Sequence, residues 1–317
     1  MHIPDGFVNL SVGISTAVLA AGGIAFAIYR TGTTLPESRA PMLGLSAAFV
    51  FAAQMLNFPV AGGTSGHLLG ASMAAVLLGP SAAIVAMSAV VILQCFLFSD
   101  GGVTALGANL FNMAVLDVVV AYSVYRMILW VVSSRPLAAG IGGWCSMFVA
   151  SAACAGQVTM SGHVKAHVIF PAMLLVHALI GIGEGLITAM VIGSVAKLRP
   201  ELLEPPRQAE PANRLMPVLA FGLLVSFGLT LFVSPFACPW PDGLEHVAEK
   251  LGFSNIATEP VVPGLLPDYQ WKGIGNVSLS TAVSGLIGTA AVFVVGWIIT
   301  RLIMSTRVKV PPMPPSE

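Results

Sequence analysis

The sequence predicts an all-α membrane protein, a polytopic bundle of about nine transmembrane helices arranged as seven plus two. Three observations carry that reading. Hydrophobic residues make up 56% of the 317 and charged ones only 9%, against about 25% charged in soluble domains, so the chain cannot dress a water-facing surface. Nine apolar runs divide it, most of them near the roughly 20 residues that a helix needs to cross hydrocarbon. Basic residues then gather on one side of those runs, as cytoplasmic segments require.

The runs lie at 8–29, 41–57, 67–79, 81–98, 107–132, 137–160, 168–197, 215–235 and 279–303. The third is too short to cross alone, and Gly79-Pro80 separates it from the fourth, so both are expected to be sheltered by neighbours. With the amino terminus outside and the carboxyl terminus inside, cytoplasmic segments hold Arg30, Arg39, Arg126, Arg135, Lys197, Arg199, Arg207, Arg214, Arg301, Arg307 and Lys309. External segments hold only Lys165, Lys250 and Lys272. No cleavable signal peptide is evident, because the start lacks a basic residue before its apolar run.

Residues 199–213 are charged and proline-rich, as a linker would be. They divide a seven-helix part, 1–198, from a two-helix part, 214–304, whose spans flank an external loop at 236–278. The tail, 305–317, carries Pro311-Pro312-Met313-Pro314-Pro315 and is expected to be disordered. A formal net charge of zero argues against a nucleic-acid partner. The four cysteines show no ligand spacing and read as packing residues.

The start of the chain holds the most specific chemistry. Histidine at position two sets three nitrogen donors side by side: the Met1 amine, the His2 backbone amide and the His2 imidazole. Once the amide loses its proton to a metal, these close fused chelate rings in one plane. Such tetragonal nitrogen coordination suits Ni(II) or Cu(II) better than tetrahedral Zn(II). The segment Gly62-Gly63-Thr64-Ser65-Gly66-His67 places a second histidine on the same membrane face, in a glycine-rich loop. His67 can supply a fourth nitrogen, or it can be an interfacial histidine that caps a loop.

Polar residues within the apolar runs are Gln94, Asn109, Asn112, Asp117, Gln157, His177 and Glu184. Groups of this kind face a bundle interior or a pathway, and they also serve as plain interhelical hydrogen bonds. His177 and Glu184 are seven residues apart and share one helix face. His163 and His167 form an i, i+4 pair before Pro171, with Lys165 between them, which favours a solvated pair over a metal clasp. Nothing here resembles a nucleophile–base pair or an ATP site, so active transport would draw its energy from another chain.

These segments, with Asp100-Gly101-Gly102, Gly107-Ala108-Asn109 and His177-Ala178-Leu179-Ile180-Gly181-Ile182-Gly183-Glu184-Gly185, resemble the CbiM/NikM family over roughly residues 1–200. Members are substrate-capture subunits of energy-coupling-factor importers for cobalt and nickel. The resemblance implies a seven-helix bundle whose amino terminus enters the core, with metal held by the Met1 amine, the His2 amide and imidazole, and His67. It further implies a transmembrane coupling subunit and cytoplasmic ABC ATPases as partners. Pro241-Asp242-Gly243-Leu244-Glu245 resembles the signature of the small CbiN/NikN partners, as do Leu266-Pro267-Asp268-Tyr269 and the last span. Asp242, Glu245, Glu249 and Asp268 then form either a loading loop for cations or a solvated turn with a helix cap.

The expected protein is an inner-membrane capture subunit for nickel or cobalt, the transported substrate, with no organic cofactor and no enzymatic activity. A permease driven by ion gradients is one alternative, which predicts uptake with no ATPase partner. A membrane metalloenzyme is another, disfavoured because no general base sits near an open metal position. Planar nitrogen coordination leans toward nickel, although surrounding contacts and metal supply override affinity order.

Overall fold

A computed structural model describes residues 1–204 and 212–306. All nine expected runs are helical: α1 (Leu10–Thr34), α2 (Ala40–Gln54), α3 (Ala71–Leu78), α4 (Pro80–Phe98), α5 (Leu106–Val131), α6 (Arg135–Met160), α7 (Ala166–Leu198), α8 (Ala212–Gly228, running on through a π-helical turn at Leu229–Val233) and α10 (Val277–Ser305). Between the last two spans lies a short surface helix, α9 (Gly243–Leu251). Seven of these, not nine, are long and apolar enough to cross a membrane. α2 falls short at 15 residues and α3 at 8, which at about 1.5 Å per residue is less than the roughly 30 Å hydrocarbon thickness. Protein surrounds them instead: thirteen of the fifteen α2 residues are buried. The shelter expected for the third and fourth runs extends to the second.

The linker expected at 199–213 is partly described, with a 3-10 turn at Pro200–Leu203. Residues 205–211 and the tail beyond Thr306, including Arg207, Arg307 and Lys309, lie outside the described residues, as does the Arg214 side chain.

The two sequence segments interlock rather than sit apart. α2 packs against α4 on one side and against α8 and α10 on the other. Phe51 of α2 and Phe98 of α4 are fully buried, and Tyr269, from the loop before α10, stacks on Phe98 with ring centroids 4.5 Å apart. Among the described residues, strand content is confined to a hairpin, β1 (Phe58–Val60) and β2 (Thr64–Gly66), paired antiparallel with Val60 opposite Thr64. Gly62 and Gly63 turn it with positive φ.

The hairpin and the first nine residues meet at one end of the bundle. There α9 closes over both, with Ser65 N donating to Pro241 O at 2.9 Å and Ser65 Oγ to Trp240 O at 2.8 Å.

Candidate metal centre

The amino terminus is inserted, not trailing. Met1 is 4% exposed and Ile3 fully buried. Asn109, at the start of α5, holds Ile3 from both sides, accepting from its N–H at 2.8 Å and donating to its C=O at 3.0 Å. Gly102 N–H donates to the same carbonyl at 2.8 Å. A side chain at Gly102 would stand 2.2 Å from Asp5 N, so only glycine lets the two segments run this close. Asp5 then fixes the turn, accepting from Thr104 N, Thr104 Oγ1 and Val261 N at 2.7, 2.6 and 3.1 Å. Burial works against its charge, but these donors outweigh it and hold the Asp5 carboxyl below its ordinary value. The anchored segment delivers the Met1 amine into the interior.

His67 waits there. Its Nε2 lies 3.0 Å from the Met1 amine, close to the separation of neighbouring corners in a square of metal–nitrogen bonds about 2.0–2.1 Å long. Its Nδ1–H donates to Leu68 O at 3.1 Å, which leaves the Nε2 lone pair facing the amine. Burial, then the positive terminal amine beside it, push His67 down to about 3, so the ring is neutral as a ligand must be. The His2 ring stacks alongside, centroids 5.8 Å apart and 16° from parallel.

These donors are engaged by other groups. The Met1 amine donates to Asp242 Oδ2 at 2.5 Å. Burial lowers the amine's proton affinity, yet the Asp242 charge prevails and raises it. The same pairing with the positive amine holds the Asp242 carboxyl well below the carboxylate range against burial. His2 Nδ1 is 2.8 Å from Asp100 Oδ1, and Nε2 is 3.2 Å from Gln94 Oε1. Gln94 is oriented in turn, since its Nε2 donates to Gln54 Oε1 at 2.7 Å. Tyr269 O–H donates to the other Asp100 oxygen at 2.5 Å.

The remaining predicted residues fall into place around this centre without joining the donor set. Glu184 accepts from Leu69 N at 2.6 Å and Gly70 N at 3.1 Å, gripping the loop just after His67. His177 donates from Nδ1 to Met173 O at 2.8 Å. With Met1 and His67 it lines a void of about 10 Å³, room for no more than a single water. Asn112 is farther off, exchanging two amide hydrogen bonds with Gln157 at 2.8 and 2.7 Å. Glu245 completes a capping box with Asp242 at the start of α9, the helix cap that is one of the two sequence readings of that loop, and Asp242 also reaches the amine.

Among the described residues, no three His, Cys, Asp or Glu side chains gather as a metal cluster. Sequence reasoning missed Asp100 and Gln94 as partners of His2, and Tyr269 as the donor to Asp100. The acid placed just before Gly101-Gly102 was the available signal for Asp100. A polar vestibule of about 780 Å³, bordered by His2, His67, Asp100, Asp242 and Tyr269, lies over the centre.

Comparison with known proteins agrees with this architecture. Residues 2–202 match the CbiM family, cobalt uptake substrate-specific transmembrane region, and residues 216–305 match the PDGLE domain. The fused nickel transport protein NikMN of Rhodobacter capsulatus is 31% identical, covering 92% of this chain and 95% of its own. A protein of Archaeoglobus fulgidus, provisionally named as a fused nickel transport protein NikMN, is 38% identical over 95% of this chain and 98% of its own. A crystal structure of a truncated transition metal transporter superposes with a TM-score of 0.58 at 30% identity, covering 62% of this chain and 99% of that one. The long apolar helices and these full-length relatives make the chain a multi-pass membrane transport protein rather than an enzyme. It belongs to the CbiM family of cobalt uptake substrate-specific transmembrane proteins, with a PDGLE domain joined behind it.

Proposed function

We propose that the chain is the substrate-capture subunit of an ATP-driven energy-coupling-factor importer for Ni²⁺ or Co²⁺. The ion is held in a plane of four nitrogens: the Met1 amine, the deprotonated His2 amide, the His2 imidazole and His67 Nε2. The observation that carries this reading is the buried Met1 amine 3.0 Å from His67 Nε2. A free amine in a membrane protein's interior is costly, and Asn109, Gly102 and Asp5 all serve to deliver it there. The names of the relatives support nickel, and the description of the family supports cobalt. Planar nitrogen coordination favours nickel of the two.

The sequence carries nothing that resembles an ATP site, and in this reading the energy comes from a coupling subunit and cytoplasmic ATPases. The inner membrane is its setting, with the amino terminus facing outside. The excess of basic residues on the opposite segments supports that orientation.

Placing Gly-Ser before Met1 tests the reading directly. The extension turns the terminal amine into an amide and crowds a void of about 10 Å³. High-affinity nickel binding, measured by calorimetry on the purified protein, is then lost. Undiminished binding by the extended protein would remove the amine from the ligand set.

A further inference from the structure

At this centre, each side-chain or terminal nitrogen of the proposed ligand set has another partner. The amine donates to Asp242, and its contact with His67 uses the Nε2 lone pair. Asp100 accepts at His2 Nδ1, the nitrogen that would close the chelate ring. The two carboxylates approach from the vestibule side, and both are governed by the PDGLE segment. Asp242 belongs to it, held by Leu244 N and Glu245 N at 2.8 and 2.9 Å. Asp100 is fixed by Tyr269 O–H. The void beside Met1 and His67 is too small for a hydrated ion.

We infer that Asp242 and Asp100 are positioning residues that lock the capture site, and that a metal enters by displacing both carboxylates from the donors. The inference rests on the capture-site reading above and names how that site is regulated. An entering cation must outcompete two charge-assisted contacts before it gains its nitrogens. Hard cations drawn to the acidic vestibule bind nitrogen too weakly to do so, whereas Ni²⁺ and Co²⁺ bind it strongly. The lock therefore sets a threshold for capture, and the fused domain supplies half of it directly. Loading requires the start of α9 to draw back from Met1, which also loosens the Ser65 contacts to Trp240 and Pro241.

The discriminating variant is Asp242→Asn in the full-length protein. Asparagine is as good a helix N-cap as aspartate, so α9 stays capped while the charge on the amine is lost. Nickel alone, titrated calorimetrically, should bind about tenfold more tightly, the scale of one charge-assisted hydrogen bond. In the metal-free protein the terminal amine should also be acylated faster, read by mass spectrometry of the amino-terminal peptide. Glu245→Ala serves as control, since it breaks the capping box and removes a charge that acts on the amine without a hydrogen bond to it, and should show a clearly smaller gain in both readouts. Equal or weaker nickel binding by Asp242→Asn would overturn the lock, and so would an equal gain in Glu245→Ala, which would trace the effect to a loosened helix. His2→Ala separates this from the underlying reading. If it loses nickel while Asp242→Asn gains nothing, only the lock fails; if it binds nickel like the parent, the capture site fails and the lock with it.

Discussion

Asn109 pairs with Ile3 as a neighbouring β-strand would, offering one acceptor and one donor to the same residue's backbone at 2.8 and 3.0 Å. The amino-terminal segment has no regular structure of its own before α1. Its buried backbone groups must nevertheless be satisfied, and a side-chain amide is the smallest group that can satisfy both at once.

Asn109→Ala should therefore release the terminus. The Ile3 N–H would lose its partner while the Ile3 C=O keeps the Gly102 N–H, costing about 1–3 kcal/mol, and the Met1 amine would leave the vicinity of His67. Nickel affinity is expected to fall by about tenfold or more, with helix content by circular dichroism unchanged. Asn109→Asp keeps the acceptor but loses the donor, and should fall between the two. Parent-like affinity in Asn109→Ala would mean the segment holds itself.

Glu184 acts on the other half of the centre. It accepts two backbone N–H groups immediately after His67, at 2.6 and 3.1 Å, and is itself almost fully buried. In Glu184→Gln one oxygen becomes an NH₂ group that opposes a backbone donor. The loop carrying His67 should loosen by about 1–3 kcal/mol. Nickel binding should weaken, and the absorption band of the bound ion should broaden as His67 loses a fixed position. Loss of binding with an unaltered band in the remaining fraction would point to global unfolding instead.

Much of this was legible in the sequence. Composition and apolar runs gave the helices to within a few residues: the run at 81–98 became Pro80–Phe98, and the run at 137–160 became Arg135–Met160. Spanning length was the weaker inference. A run such as 41–57 is equally apolar whether it faces lipid or protein, so sequence could not foresee that α2 would be a short buried helix. The Met1-His2 donor set could be written from coordination chemistry because it is local. The contacts of Asp242 with Met1 and of Tyr269 with Asp100 span 241 and 169 residues, and no periodicity or spacing encodes them. Asn109 and Asn112, one helical turn apart, look alike in sequence. Only packing separates the clamp on Ile3 from the amide pair with Gln157.

Asp5 provides a stability test independent of metal. Its carboxyl accepts three hydrogen bonds, and these keep it below its ordinary value of 3.8 despite burial. A group with a lowered folded value contributes stability above its unfolded value, and the contribution fades as pH falls toward the lowered one. Asp5→Asn should thus melt at a lower temperature than the parent at neutral pH, and the gap should close as pH drops below about 4. Thermal unfolding of the metal-free protein across pH 3 to 7 reads this. A gap constant with pH would mean that the carboxylate charge contributes nothing.

Gly102 tests whether the terminus must be seated for the centre to exist. Its Cα faces Asp5 so closely that an added Cβ would lie 2.2 Å from Asp5 N and 2.5 Å from Asp5 Oδ1. Backbone cannot yield by that much without moving the whole segment. Gly102→Ala should therefore displace residues 1–6 while the spanning helices, which lie outside this contact, keep their packing. The expected result is a folded, monodisperse protein in detergent that binds nickel poorly and whose terminal amine is acylated readily. A Gly102→Ala protein that binds nickel like the parent would show that the seated conformation of the terminus is not the one that captures metal.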